Sequence, residues 1–333
     1  MNSYKAYLAV RNPDGSIQTS VTTRSKSDLP AGDVLIKVAY SSLNYKDALS
    51  ATGAPGVTKN YPHVPGIDAS GEVVESQVPE FKPGDAVLVT GYDLGVETDG
   101  GYGEYIRVPA DWVVPIPSGL TKRESMIFGT AGFTAALSVH SLIHNNILPD
   151  SGPVLVTGAT GGVGCIAVAI LAKLDYTVIA STGKSSEHDF LKKLGASTVI
   201  DRDEINDQSG RPLLKSSYAG AVDTVGGNTL TTVVKSIQQH GSVAACGVVA
   251  GPKLELTVFP FILRGVRLLG VDSALCPNNL RHETWQKLAG DWKIDHLNDI
   301  ATTIHLEELD SSVAAILKGK IRGRVIVEIG ADS

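Results

Sequence analysis

Cysteine is scarce in this chain of 333 residues: there are three, Cys165, Cys246 and Cys276, far apart and odd in number. That excludes a disulfide-stapled fold, and no C-x-x-C pair is present to hold a structural metal. Cys165 and Cys246 sit inside apolar runs, where a thiol behaves as a small hydrophobe, so both are expected in the core. Basic runs are missing as well. Lys and Arg number 29 against 35 Asp and Glu, for a net charge of −6 and a pI near 5.8, which excludes a general nucleic-acid or membrane-surface binder. The longest apolar run, residues 163–172, is too short to cross a bilayer, and the first ten residues carry no secretory signal. A cytoplasmic protein with a small-molecule ligand and no membrane or nucleic-acid partner is expected. The histidines offer no H-E-x-x-H motif. Their one i,i+4 pair, His140 and His144, has no carboxylate or cysteine nearby in sequence, so packing is expected and no metal ligand is assigned.

What the chain does have is a glycine-rich turn. Residues 153–164 read Pro-Val-Leu-Val-Thr-Gly-Ala-Thr-Gly-Gly-Val-Gly, a short apolar strand running into glycines, and residues 165–174 are apolar and helix-compatible. Glycines suit a backbone that must turn sharply and approach a pyrophosphate, whose charge the N–H groups and dipole of a helix N-terminus stabilise. The strict G-x-G-x-x-G register fails, because its first position is Ala159 and only Gly161 and Gly164 fit. The following sequence strengthens the reading. Strands are predicted at 176–180, 198–200, 221–225, 241–247 and 267–271, with a helix at 187–194. Short, almost continuously apolar strands alternating with helical stretches predict a doubly wound parallel sheet, a Rossmann domain over residues 126–272.

The texture before residue 126 differs. Strands are predicted at 4–10, 33–41, 67–75, 85–90 and 105–108, punctuated by Pro65-Gly66, Pro83-Gly84-Asp85 and Asp99-Gly100-Gly101, so residues 1–125 read as a β-rich domain. Helices near 278–289 and 306–318 and a closing strand at 323–329 form a tail expected to return to it, giving a second domain of residues 1–125 and 273–333.

This arrangement resembles the medium-chain dehydrogenase/reductase superfamily over essentially the whole chain. The segments 41–49 (Ser-Ser-Leu-Asn-Tyr-Lys-Asp-Ala-Leu), 65–68 (Pro-Gly-Ile-Asp), 129–135 (Gly-Thr-Ala-Gly-Phe-Thr-Ala), 158–164 and 260–267 resemble its zinc-free quinone oxidoreductase branch, and within it the acrylyl-CoA reductase subgroup. The resemblance implies a GroES-like catalytic domain beside the Rossmann domain, and NADPH-dependent reduction of an activated C=C bond. Zinc-dependent relatives place a cysteine ligand where this chain has Asn44-Tyr45-Lys46-Asp47 and a Gly-His-Glu motif where it has Gly66-Ile67-Asp68. The four-cysteine structural lobe has no counterpart before Cys165. Alcohol oxidation there needs a Lewis acid for the alkoxide; without one, conjugate hydride addition is expected.

Cofactor preference follows from charge. NAD binders usually carry Asp or Glu at the end of the second strand to hold the ribose hydroxyls. Here that end reads Ser181-Thr182-Gly183-Lys184, and hydroxyls plus a lysine suit a 2′-phosphate. The resemblance adds Arg202 as a further phosphate contact. The turn residues Ala159, Thr160, Gly161, Gly162, Val163 and Gly164, followed by Thr182, Gly183 and Lys184, are the expected NADPH cradle. Thr134, Val248, Ile262, Ser273 and Arg324 lie where the resemblance places further cofactor contacts, although Val248 and Ile262 taken alone read as core. Tyr45 matches a cofactor-contacting tyrosine of the family, and its phenol could order the nicotinamide, bind a thioester carbonyl or protonate the α-carbon, or could be a packing wall. Asn44 could polarise the carbonyl.

Two enzymatic readings remain, a 2-enoyl-CoA (acrylyl-CoA) reductase and a broad quinone or enone reductase; their hydride geometry is the same. A non-catalytic NADPH-binding sensor is the alternative from another class, since a nucleotide fold alone does not imply turnover. The resemblance also implies a homodimer through the edge of the nucleotide-domain sheet, with 267–271 as the candidate edge strand.

Overall fold

A hairpin opens the first unit of the chain: β1 (Ser3–Arg11) pairs antiparallel with β2 (Ile17–Ser25) along its whole length. β1 buries Tyr4, Ala6, Tyr7 and Ala9, whereas β2 is polar at most positions and is held by its partner's ladder rather than by its own apolar content. β3 (Val34–Ser42) is buried everywhere except Lys37. It is the spine of a seven-stranded sheet, because strands pair along both of its edges. A short helix, α1 (Tyr45–Ala51), follows, then β4 (Asp68–Ser76), β5 (Ala86–Thr90), β6 (Tyr105–Val108) and β7 (Val114–Pro115). The computed structural model describes residues 2–330.

The long helix α2 (Lys122–His144) carries the chain into the second unit. By length and mean hydropathy, 1.5, it could cross a membrane, but 78% of that stretch is buried inside the protein, as in a core helix. Gly129 breaks it, with φ 49° and ψ −156°; a Cβ there would collide with the Asp68 carboxylate, so residue 129 must be glycine.

The second unit, Ala131–Ser273 with Gly290–Asp295, holds a six-stranded parallel sheet. In chain order it contains β8 (Val154–Val156), α3 (Gly162–Lys173), β9 (Val178–Thr182), α4 (His188–Lys193), β10 (Thr198–Asp201), β11 (Tyr218–Asp223), α5 (Gly227–Ser236), β12 (Ile237–Ala245), α6 (Phe259–Arg264) and β13 (Arg267–Gly270). Spatially the strands run β10-β9-β8-β11-β12-β13, the doubly wound order in which winding reverses between β8 and β11. Each predicted strand of this segment is present. Leu155, Ala221, Val233, Val234 and Val243 pack between sheet and helices, which is why these strands read as unbroken apolar runs.

The tail contributes α7 (Asn278–Ala289), β14 (Ala301–His305), α8 (Leu309–Leu317) and β15 (Arg324–Glu328), and belongs to the first unit with Met1–Thr130. β15 inserts between β14 and β3, parallel to the former and antiparallel to the latter. No described cysteine is in a disulfide: Cys165 and Cys276 are buried, while Cys246, expected in the core and one residue past the end of β12, is only partly covered. His140 and His144 stack at 6.3 Å on α2.

Candidate cofactor cradle and buried acid cluster

The glycine-rich turn lies in the second unit between β8 and α3. Gly158 sits at φ 58°, and a Cβ on Gly164 would run into the Gly158 carbonyl, so both glycines are needed for the turn to close on itself. Ala159 is fully buried, its N–H bonded to Ser181 O at 3.0 Å, so its methyl is accommodated where the strict motif has glycine. Gly161 is the N-cap of α3 and no side chain caps the helix. The first-turn N–H groups of Gly162, Val163 and Gly164 therefore have no intrahelical acceptor, the arrangement that receives an anion.

Beneath the turn, Asp223 at the end of β11 is fully buried. It accepts from Thr157 Oγ1 at 2.7 Å and from the N–H groups of Gly226 at 2.7 Å and Val225 at 3.3 Å, while Thr224 Oγ1 donates back to Thr157 O at 2.9 Å. One carboxylate thus ties the ends of β8 and β11 together. Burial raises its pKa against these bonds. Sequence reasoning missed this group, although an acid closing an apolar strand before Gly-Gly is a visible signal. The neighbouring Cys246 thiol is pushed up to about 12 by burial and by Asp223, so it stays protonated and inert.

At the end of β9, Thr182 is buried and its hydroxyl lies 3.3 Å from that of Thr160 and accepts the Lys184 N–H at 3.1 Å. Lys184 is part-buried, and that burial lowers its pKa. Arg202, just past β10, is exposed and brings its guanidinium over Gly183. The structure therefore assembles 159–164, 182–184 and Arg202 at the ends of three adjacent strands, with two cations and no carboxylate at the position of the ribose acid. Elsewhere in this unit Thr134 Oγ1 donates to Ser273 Oγ at 2.8 Å, joining two predicted contacts 139 residues apart. Val248 and Ile262 are 55% and 68% exposed, which corrects their reading as core.

In the first unit Asn44 is the N-cap of α1 and Tyr45 its first residue. Tyr45 is 37% exposed, whereas Asn44 is buried and committed at both ends of its amide: Nδ2 donates to Asp68 Oδ2 at 2.8 Å, and Oδ1 accepts from Arg324 at 3.2 Å. Arg324 is also buried, donating to Ile127 O, Leu43 O and Ser42 Oγ, with Nη2 3.8 Å from Asp68. Asp68 further accepts from Ser42 Oγ at 2.5 Å and from the N–H and hydroxyl of Thr130. Asp47, wholly buried beside this cluster, was not foreseen as a functional group. Burial and the Asp68 carboxylate raise its pKa to about 7, outweighing the bonds it accepts from Asn44, Ile67 and Tyr102.

Comparison with known proteins gives a consistent picture. The family model of the alcohol dehydrogenase GroES-like domain matches residues 30–118, and that of the zinc-binding dehydrogenase matches residues 162–291. The chain is 49% identical to the putative quinone oxidoreductase YhfP of Bacillus subtilis, over 98% of this chain and 99% of that protein. It is 46% identical to the acrylyl-CoA reductase AcuI of Ruegeria pomeroyi, over 95% of this chain and 96% of the relative. The crystal structure of the YhdH oxidoreductase of Salmonella enterica in complex with NADP superposes with a TM-score of 0.95 at 45% identity, covering 98% of this chain and all of that one. YhfP itself, crystallised with NAD, matches with the same TM-score, 0.95, at 48% identity, over 98% of this chain and all of that one.

Proposed function

The chain belongs to the medium-chain dehydrogenase/reductase superfamily, in its acrylyl-CoA reductase group, and from that premise we propose that it is an NADPH-dependent reductase of an activated C=C bond whose substrate is a 2-enoyl-CoA such as acrylyl-CoA. The observation that carries the cofactor half of this reading is the placement of Lys184 and Arg202 around Gly183, with no acid at the end of β9. A 2′-phosphate gains charge-assisted bonds there, and its pyrophosphate has the uncapped start of α3. The substrate half is supported by the relatedness to AcuI.

Bound in this cradle, NADPH would supply a hydride to the β-carbon of the enoyl thioester, leaving the thioester oxygen to take up the electron pair and the α-carbon to need a proton. The chain's own residues serve the second half. Tyr45, at the exposed start of α1, presents the phenol that donates toward the carbonyl or the α-carbon. Asn44 has its amide turned to Asp68 and Arg324 and therefore holds the start of α1 in place rather than contacting substrate. Arg324 completes that buried cluster, and Thr134, Val248, Ile262 and Ser273 remain assigned to the cofactor.

The relatedness to a protein named quinone oxidoreductase favours a second reading, a broad quinone and enone reductase using the same cradle. NADPH oxidation by the purified protein with acrylyl-CoA, crotonyl-CoA and 1,4-benzoquinone, each repeated with a chelator, separates the readings. Chelator-insensitive turnover of the thioesters supports the first; turnover of benzoquinone alone replaces it with the second; cofactor binding with no turnover of any electrophile leaves a sensor. The protein is further proposed to work in the cytoplasm, where its three cysteines, none of them in a disulfide, would stay reduced, and as a homodimer. β13 is an edge strand of the parallel sheet, and the exposed apolar side chains of Val258, Phe259, Ile262 and Leu263 lie in the segment just before it.

A further inference from the structure

Asp47 is completely buried, and its carboxylate is spent on the start of its own helix. Oδ2 accepts the Asn44 N–H at 2.7 Å and the Tyr102 phenol at 3.1 Å, and Oδ1 accepts the Ile67 N–H at 2.8 Å. An acid at the third helical position that closes on the N-cap N–H is common at solvent-facing helix starts. Here the same device is placed where burial and a neighbouring carboxylate, Asp68, both oppose its charge. Asn44 is in consequence held at three points: its backbone N–H by Asp47, its amide nitrogen by Asp68 and its amide oxygen by Arg324. Tyr45 follows directly and is half out in solvent, so the place of its phenol is set from the backbone side.

We propose that Asp47 is a positioning residue, which fixes the Tyr45 phenol by closing α1 onto the N–H of Asn44 and onto residue 67. An amide at residue 47 would keep the volume but can accept at only one of its two ends. One of the two backbone N–H groups would then face a donor, and the helix start would lose its single register. The inference rests on the assignment of Tyr45 as the proton-handling residue, and the test keeps the two apart.

The test compares Asp47→Asn, Tyr45→Phe and the double variant, by amide hydrogen exchange of residues 44–51 in the cofactor-free protein, by melting temperature, and by kcat and KM with an enoyl-CoA. Losing one backbone bond at the helix start should speed exchange there about tenfold and lower kcat about tenfold, with KM changed less than about threefold. The melting temperature should change little, because the loss of a buried charge offsets the backbone N–H left facing a donor, and Asp47→Asn should cost nothing further in the Tyr45→Phe background. Unchanged exchange, or rate losses that simply multiply in the double variant, would overturn the proposal; so would a lower melting temperature with an unchanged kcat. Should Tyr45→Phe turn over at the wild-type rate, the assignment of Tyr45 fails, and exchange alone decides whether Asp47 holds the helix start. If Asp47→Asn does not fold, Tyr102→Phe removes the phenol's bonds to Oδ2 and, at 3.3 Å, to Ser42 O, leaves both backbone bonds of Asp47 in place, and should move exchange and kcat in the same directions, by about threefold; no movement in either would overturn the proposal.

Discussion

Arg202 lies so close over Gly183 that a Cβ added at residue 183 would come within 2.7 Å of the arginine Cδ and Nε. The guanidinium can occupy that place only because residue 183 has no side chain. Gly183→Ala should therefore push Arg202 aside and weaken NADPH binding while leaving NADH binding nearly unchanged. Lys184→Ala should do the same more directly. Losing a bond between charged groups costs about 1.5–3 kcal/mol, roughly 10- to 100-fold in the Kd for NADPH. Fluorescence titration with both cofactors checks it, and equal losses for the two would remove the 2′-phosphate from this corner.

Tyr45→Phe keeps the ring and deletes the donor. If water has to replace the phenol, kcat should drop about tenfold or more while the Kd for NADPH stays within about threefold. Stopped-flow rates and a binding titration on the same preparation give both numbers. A wild-type rate would make Tyr45 a wall.

Asp47 predicts a pH dependence of stability. Its folded pKa, raised by burial and by Asp68 to about 7, lies above the ordinary carboxylate value of 3.8. Between these values the folded protein binds a proton that the unfolded chain has released. This group therefore makes folding progressively less favourable as pH rises from about 4 to about 7, with no further change above. Asp47→Asn lacks that contribution, so wild type should gain stability relative to the variant as pH is lowered across the window. Urea unfolding of both proteins at several pH values measures the difference.

Asp223 should be costly to remove. Asp223→Ala strands the hydroxyl of Thr157 and the N–H groups of Val225 and Gly226, and leaving buried donors unsatisfied should cost about 2–3 kcal/mol. Because those donors lie at the ends of β8 and β11, NADPH affinity should fall in the folded fraction as well. Thr157→Val, which removes the hydroxyl bond to Asp223 and the acceptor of the Thr224 N–H but leaves the carboxylate on Val225 and Gly226, should show a smaller loss of both.

Association is testable at the apolar approach to β13. Val258 and Leu263 are 63% and 55% exposed, values at odds with their polarity unless something covers them. Val258→Asp with Leu263→Asp should move the protein from dimer to monomer in sedimentation velocity without loss of helical signal. A monomeric wild type would refute the dimer.

The cradle was legible in the sequence because it is local. The turn, the strand before it and the helix after it fall within 22 consecutive residues at 153–174, and the absence of an acid after Thr182 could be read directly. The parallel strands were legible because burial on both faces removes polar residues from them. β2 was not, since a ladder to β1 stabilises it and its own residues alternate poorly. Nor was the acid cluster: Asp47 and Asp68 are 21 residues apart, and the cation facing Asp68, Arg324, is brought in by β15 from far down the chain. Val248 and Ile262 fail for the opposite reason, being apolar residues on a surface.

The position of β15 between β14 and β3 also sets an order of events during synthesis. The second unit is nearly continuous and can close once residue 273 and a short later piece have emerged, but the sheet of the first unit keeps a gap until its final strand arrives. Arg324 must then meet Asn44, 280 positions earlier, and until it does the carboxylate of Asp68 stays without its cation. A ribosome-bound chain stopped before residue 324 would thus carry a finished nucleotide sheet beside an open, acid-lined one, exposed to proteases and chaperones for as long as translation is delayed.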